Sequence, residues 1–182
     1  MQPAPPAIVV MGVCGSGKSA VARALADHLA VPWVDADDLH APEAVARMRA
    51  GIALRDEDRL PWLDRVGQRL SQATRPPGAT GVTVACSALR RAHRDRLRAA
   101  CPGLRFVFLD GDPAVLAARL AARQGHYMPA SLLPSQLQTL ERPGPDEPDV
   151  RTVDISPPLA SVLANVLAAL DAAAPRHEGT RP

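Results

Sequence analysis

Aromatic side chains are scarce: two Trp, two Phe and one Tyr among 182 residues. A buried core must therefore be aliphatic, with helices built on the abundant Ala and Leu. The three cysteines, Cys14, Cys86 and Cys101, lack the even count of a disulfide framework and the paired spacing of a zinc site. Their use fits a reducing cytoplasm. Neither charge is in excess, with 21 Lys+Arg against 19 Asp+Glu. No basic footprint argues for a nucleic acid or an acidic membrane surface as partner. Long apolar runs are missing too. MQPAPPA has no basic leader region, and LASVLANVLAAL (Leu159 to Leu170) falls short of the ~20 residues a membrane span needs. A soluble chain with no membrane partner is expected.

What is present is a regular alternation. Ile8 to Met11 is a short β-branched run of the kind buried on both faces of a sheet. After a glycine-rich turn, Val21, Leu25 and Leu29 recur four apart along one helix face. VPWVDAD, GVTVACS (Gly81 to Ser87), LRFVFLDGD (Leu104 to Asp112) and VRTVDIS (Val150 to Ser156) read as four further strands. Between and after them, Ala44 to Arg49, Arg59 to Ala73, Arg90 to Ala100, Ala114 to Arg123 and Leu159 to Leu170 read as helices. Such alternation predicts one α/β domain, residues 1–173, built on a five-stranded parallel sheet with helices on both faces. Ligands then gather at the carboxyl ends of the strands. ATRPPGATG is a turn cluster. The long connection from the Ala114 to Arg123 helix to strand five reads as a lid, about residues 119–142, and residues 174–182 as a disordered tail.

Gly12-Val13-Cys14-Gly15-Ser16-Gly17-Lys18-Ser19 satisfies the phosphate-loop pattern between a strand and a helix. Its glycines let the backbone aim successive N–H groups at a phosphate, and the helix N-terminus adds partial positive charge. Lys18 supplies a mobile charge for the β- and γ-phosphates of ATP, and the Ser19 hydroxyl is a ligand for Mg²⁺. A plain turn has no use for Lys-Ser at that place. Cys14 is read as a small filler, since no partner base adjoins it.

The carboxylates say where the phosphate goes. Strand three ends in Ala85-Cys86-Ser87, without the metal-holding Asp of common phosphate-loop ATPases, whereas strand two ends in Asp35-Ala36-Asp37. We read Asp35 as steadying the magnesium water shell, and Asp37 as orienting and deprotonating an acceptor hydroxyl. Asp38 reads as a helix N-cap, and His40 stands open between a substrate contact and a turn residue.

Asp35-Ala36-Asp37-Asp38-Leu39-His40, Asp56-Glu57-Asp58-Arg59-Leu60-Pro61-Trp62-Leu63, Cys86-Ser87-Ala88-Leu89-Arg90 and Arg94-Asp95-x-Leu97-Arg98 together resemble the gluconokinases of the small phosphate-loop type. Arg123-x-Gly125-His126-Tyr127-Met128 and Ser135-Gln136-x-x-Thr139-Leu140-Glu141 continue the resemblance, which spans Ile8 to Leu170. It implies a sheet of order 2-3-1-4-5, transfer of the γ-phosphate of ATP to the 6-hydroxyl of D-gluconate, and often a homodimer. Two departures are that the usual D-G-D is D-A-D here and that H-P is split by Ala41. A polyol bearing one carboxylate needs an acid for its hydroxyl and an arginine for its carboxylate. Arg59, near a helix start where a cation gains nothing from the dipole, suits the second role. Ser87 and Arg90, just past strand three, are further pocket residues, while Arg91, Arg94, Arg96 and Arg98 read mostly as a solvated helix face. Trp62 reads as core. Arg119 and Arg123, four apart, read either as a salt-bridged surface or, as the resemblance implies, as lid arginines over the β- and γ-phosphates. The turn Ser156 to Pro158 is read as the adenine contact. A shikimate-like or other aldonate kinase, and a nucleotide-binding module without catalysis, are the rival readings.

Overall fold

The computed structural model describes residues 5–75, 77–122 and 130–172. Five strands, β1 (Ala7–Met11), β2 (Trp33–Asp35), β3 (Val82–Ala85), β4 (Arg105–Asp110) and β5 (Val150–Asp154), form one sheet of order β2-β3-β1-β4-β5. Every neighbouring pair is parallel. The crossovers carry α1 (Lys18–Leu29), α2 (Pro42–Arg49), α3 (Asp56–Thr74), α4 (Arg91–Ala100), α5 (Pro113–Ala121) and α6 (Leu133–Thr139), and α7 (Leu159–Asp171) follows β5.

Alternation along the central strands separates two cores. Ile8 and Val10 on β1, with Val107 and Leu109 on β4, face Val21, Leu25, Leu116, Val162 and Val166 of α1, α5 and α7. Val9 and Met11, with Val84, Phe106 and Phe108, face Trp62, Leu63, Val66 and Leu70 of α3 and Leu97 of α4. Both faces of the sheet are thus covered, as an all-parallel sheet requires. A third small cluster, Met48, Leu54 and Leu132, packs α2 against the segment before α6.

The structure shifts several boundaries. Strand two stops at Asp35, and Ala36–Leu39 form a 3₁₀ turn, so Asp37 sits in that turn rather than on the strand. The capping carboxylate is Asp35, which accepts the N–H of Asp37 at 3.1 Å; Asp38 is not the cap. Helix α3 starts at Asp56, not at Arg59, because Asp58 reaches back to accept the Arg55 N–H at 2.9 Å and closes the first turn. Pro61 is thereby left inside the helix. Helix α6 is an element that the sequence reading left inside the lid connection. Helix α5 ends at Ala121, and Arg123, His126 and residues 173–182 lie outside the described residues.

Candidate active site

The loop between β1 and α1 is shaped for close backbone approach. Gly12 has φ 146, and a Cβ there would stand 2.9 Å from both the Leu109 carbonyl and Ser16 Oγ. Gly15 has φ 82, and its Cβ would meet Leu120 of α5 at 2.9 Å. Neither place admits a side chain. Ser16 Oγ is buried with no hydrogen-bond partner among the described residues. Lys18 Nζ donates to the Val13 carbonyl at 3.1 Å, so the lysine lies along its own loop. Ser19 Oγ donates to Asp35 Oδ2 at 2.6 Å, which places the first hydroxyl of α1 and the last carboxylate of β2 at one corner. Val13 and Cys14 are buried, and Gln136 Oε1 of α6 accepts the Cys14 N–H at 2.7 Å.

A cavity opens beside this loop. Lys18, Asp37, His40, Arg59 and Ser87 all line it. Five residues read from four separate stretches of sequence therefore share one space at the carboxyl edge of the sheet. Helix α3 organises their far wall. The Trp62 indole N–H donates to the Ala36 carbonyl at 2.6 Å, and Arg65 Nε donates to the Leu39 carbonyl at 2.7 Å, so both ends of the 3₁₀ turn carrying Asp37 are tied to one helix. Trp62 is core, as read, and also a platform: the His40 ring stacks on it at 4.3 Å between centroids. His40 Nε2 lies 3.9 Å from Asp37 Oδ1, and its buried Nδ1 has no partner among the described residues. Burial, helped by Arg65 and Arg59, lowers its pKa to about 4 and keeps the ring neutral near pH 7. Burial also pulls the Arg59 pKa down, against the opposing pull of Asp56. A partly buried guanidinium on the wall of a cavity suits an anionic ligand.

Two expected residues stand apart from this space. Arg90 is not among the lining residues; its Nη1 pairs with Asp56 Oδ2, the same carboxyl group that meets Arg59 Nη1 at 3.5 Å. Arg119 Nη2 donates to the Ile155 carbonyl at 2.6 Å, holding α5 to the turn after β5. The wall also contains residues that the sequence reading gave no role: His93 of α4, and Ser135 and Gln136 of α6. Gln136 was visible as part of a motif, but its contact with the phosphate loop spans over a hundred positions. The His93 pKa is lowered to about 4, by burial first and then by Arg59. Cys86 behaves as core, since burial raises its thiol pKa to about 12.

Arg94 overturns an expectation. Within the arginine-rich α4 it is not part of a solvated face but 1% exposed. Its guanidinium forks onto Glu147, Nε to Oε2 at 2.7 Å and Nη2 to Oε1 at 2.6 Å.

The chain is similar to known proteins over most of its length. The AAA domain family profile matches residues 8–143. A thermosensitive gluconokinase of Escherichia coli (strain K12) is 43% identical over 154 residues, covering 85% of this chain and 81% of that protein. A gluconokinase of Gluconobacter oxydans (strain 621H) is 46% identical over 144 residues, 79% of this chain and 80% of that one. Among solved structures, a gluconokinase from Sinorhizobium meliloti 1021 superposes with a TM-score of 0.83 at 46% identity, covering 94% of both chains. The Mycobacterium tuberculosis APS kinase CysC superposes at 0.61 with 18% identity, a likeness of fold alone.

Proposed function

The chain belongs to the gluconokinase family, and from that premise we propose that it transfers the γ-phosphoryl group of ATP to the 6-hydroxyl of D-gluconate in the cavity between the phosphate loop and α3. The products are 6-phospho-D-gluconate and ADP. The observation that carries this reading is the meeting of Lys18 and Asp37 in one cavity with Arg59, His40 and Ser87. One side offers a phosphate cradle and the other an acid with a cation for a carboxylate.

Gly12 to Ser19 hold the nucleotide phosphates through backbone N–H groups, and Lys18 leaves the Val13 carbonyl to reach the β- and γ-oxygens. Asp37 accepts the proton of the acceptor hydroxyl as the phosphoryl group passes in line. Arg59 takes the gluconate carboxylate, and the neutral His40 and Ser87 hydrogen-bond the polyol. Arg90 orients Arg59 from outside the cavity through their shared carboxylate, Asp56.

The residues present fit magnesium. Ser19 Oγ and an Asp35 carboxylate oxygen stand 2.6 Å apart, and among the described residues no cluster of three or more His, Cys, Asp or Glu forms a cage. That suits an ion held by one hydroxyl, nucleotide phosphate and water, with Asp35 on the water shell. Bound there, magnesium neutralises phosphate charge.

The lid, about residues 119–142, with Arg119 leaving the Ile155 carbonyl to join Arg123 over the phosphates, the single domain through residue 173, a homodimer and a cytoplasmic location extend the proposal. Three buried cysteines agree with the last, and no helix among the described residues is long and apolar enough to cross a membrane. The test is ADP release, coupled to a reporter, across gluconate, other aldonates and shikimate. Gluconate-dependent turnover is expected; turnover on another acceptor and none on gluconate overturns the substrate.

A further inference from the structure

The motif Arg94-Asp95-x-Leu97-Arg98 takes no part in the chemistry above, yet it holds the most buried charge pair among the described residues. Arg94 and Glu147 are 1% and 4% exposed. Beyond its fork onto Glu147, Arg94 directs Nη1 at three main-chain oxygens: Ala88 at 3.3 Å, Leu89 at 3.3 Å and Glu141 at 3.1 Å. Arg98 Nη2 reaches Glu147 Oε2 at 2.7 Å from the next turn of α4. Burial by itself would raise the Glu147 pKa; hydrogen bonds from Arg94 and Arg98 outweigh it and bring the group to about 2.

The three carbonyls belong to two pieces of chain that wall the cavity. Ala88 and Leu89 follow Ser87, and both Ser87 and Leu89 line the cavity. Glu141 follows α6, which contributes Ser135 and Gln136. The two pieces are laced together directly, Glu141 N–H to the Leu89 carbonyl at 2.9 Å and Arg91 N–H to Glu141 Oε2 at 2.6 Å. The Ser87 carbonyl in turn accepts the Gly12 N–H at 3.4 Å, linking this wall to the phosphate loop. Between them Ala88 has φ 41, a left-handed conformation that an alanine keeps only when its surroundings hold it there. A fork on a carboxylate with a third nitrogen on successive carbonyls supplies that hold.

We propose that Arg94 and Glu147 are a positioning pair for the acceptor. Neither touches substrate; together they fix the backbone of residues 87–89 against the foot of α6, and so set the distance from Ser87 to the phosphate loop. The pair rests on the reading that this cavity takes gluconate. Its energetic form also suggests position over stability, since a buried ion pair contributes little net stability compared with well-packed apolar side chains. An apolar pair would fill the space and leave the three carbonyls unheld.

The test compares Arg94→Lys, which keeps the charge and loses the fork, Glu147→Gln, which keeps the shape, and the double variant R94M/E147L. For each, kcat, KM for gluconate, KM for ATP and Tm are measured. We expect Arg94→Lys and Glu147→Gln to raise KM for gluconate about tenfold or more while KM for ATP stays within about twofold. R94M/E147L should recover Tm relative to a single Arg94→Met variant measured alongside it, without recovering KM for gluconate. Wild-type KM for both substrates in a folded variant overturns the proposal. So does a parallel rise in both KM values, or recovery of KM for gluconate along with Tm in the double variant. Should R94M/E147L not fold, Glu147→Gln decides alone. Turnover of the wild type on another acceptor with none on gluconate would instead overturn the substrate reading, and the same KM comparison, made with that acceptor, would still test the pair.

Discussion

Asp37 and Lys18 both line the cavity, and their replacement separates two jobs. Lys18→Ala removes the mobile charge from the phosphate side and should lower kcat/KM by at least about 10²-fold. Asp37→Asn preserves shape but cannot take a proton, so kcat should fall about 10²- to 10⁴-fold with KM for gluconate little changed. Steady-state kinetics on both variants checks the pair, and an unchanged kcat in Asp37→Asn removes it from the base role. These two residues were legible in the sequence because phosphate chemistry demands particular residue types at fixed spacing from a strand end. Arg94 was not. On a helix rich in arginine its letter reads as one more solvated cation, and what distinguishes it is a carboxylate 53 positions away. His93 was hidden for a similar reason: its place on the cavity wall follows from how α4 leaves β3, which one-dimensional periodicity does not record.

At the scale of elements, the strands were readable as short aliphatic runs because both faces of a parallel sheet are buried. Helical elements shorter than two turns were not readable. Helix α6 is seven residues with a proline at its second position, too short to show a period. The 3₁₀ turn after β2 was hidden by the acids that make it. Helix α3 illustrates how local capping governs the site. Asp58 accepts the Arg55 N–H at 2.9 Å and Arg47 Nη1 at 2.9 Å, so it closes the first turn of α3 and holds α2 to it. Asp58→Ala should cost about 1 kcal/mol, seen as a Tm lower by about 2–4 °C for a chain of this size. Arg59 stands on that same first turn, so KM for gluconate should rise as well. A lower Tm with an unchanged KM would mean that the cap stabilises α3 without setting Arg59.

Across the whole molecule, βαβ alternation predicted the parallel sheet, whereas the strand order β2-β3-β1-β4-β5 came from family resemblance, since no local pattern states which strands are neighbours. That order puts β1 between β3 and β4, and so brings the phosphate loop beside Ser87. It also buries two imidazoles around one cavity, with consequences for pH. His40 faces Asp37, Arg59 and Arg65, and His93 faces Asp56, Arg59, Arg90 and Glu141. Each folded-state pKa lies at about 4 against 6.5 for the free group. Between these values the unfolded chain binds more protons than the folded one, so stability rises with pH from about 4 to 6.5 and is lost as pH falls through that window. Glu147 shifts the same way, from 4.5 to about 2, and its contribution is present above 4.5 and lost below it. Tm should therefore decline in two stages on acidification, the first from about pH 6.5, where ordinary carboxylates still have their charge, and the second below about 4.5. Each unit of pKa difference corresponds to about 1.4 kcal/mol, enough for thermal melts at pH 7, 5.5 and 4.5 to resolve. Replacing both imidazoles, His40→Gln with His93→Gln, should flatten the first stage and leave the second. An equal slope between pH 7 and 5.5 in wild type and double variant would show that these histidines are not the groups that destabilise the fold in mild acid.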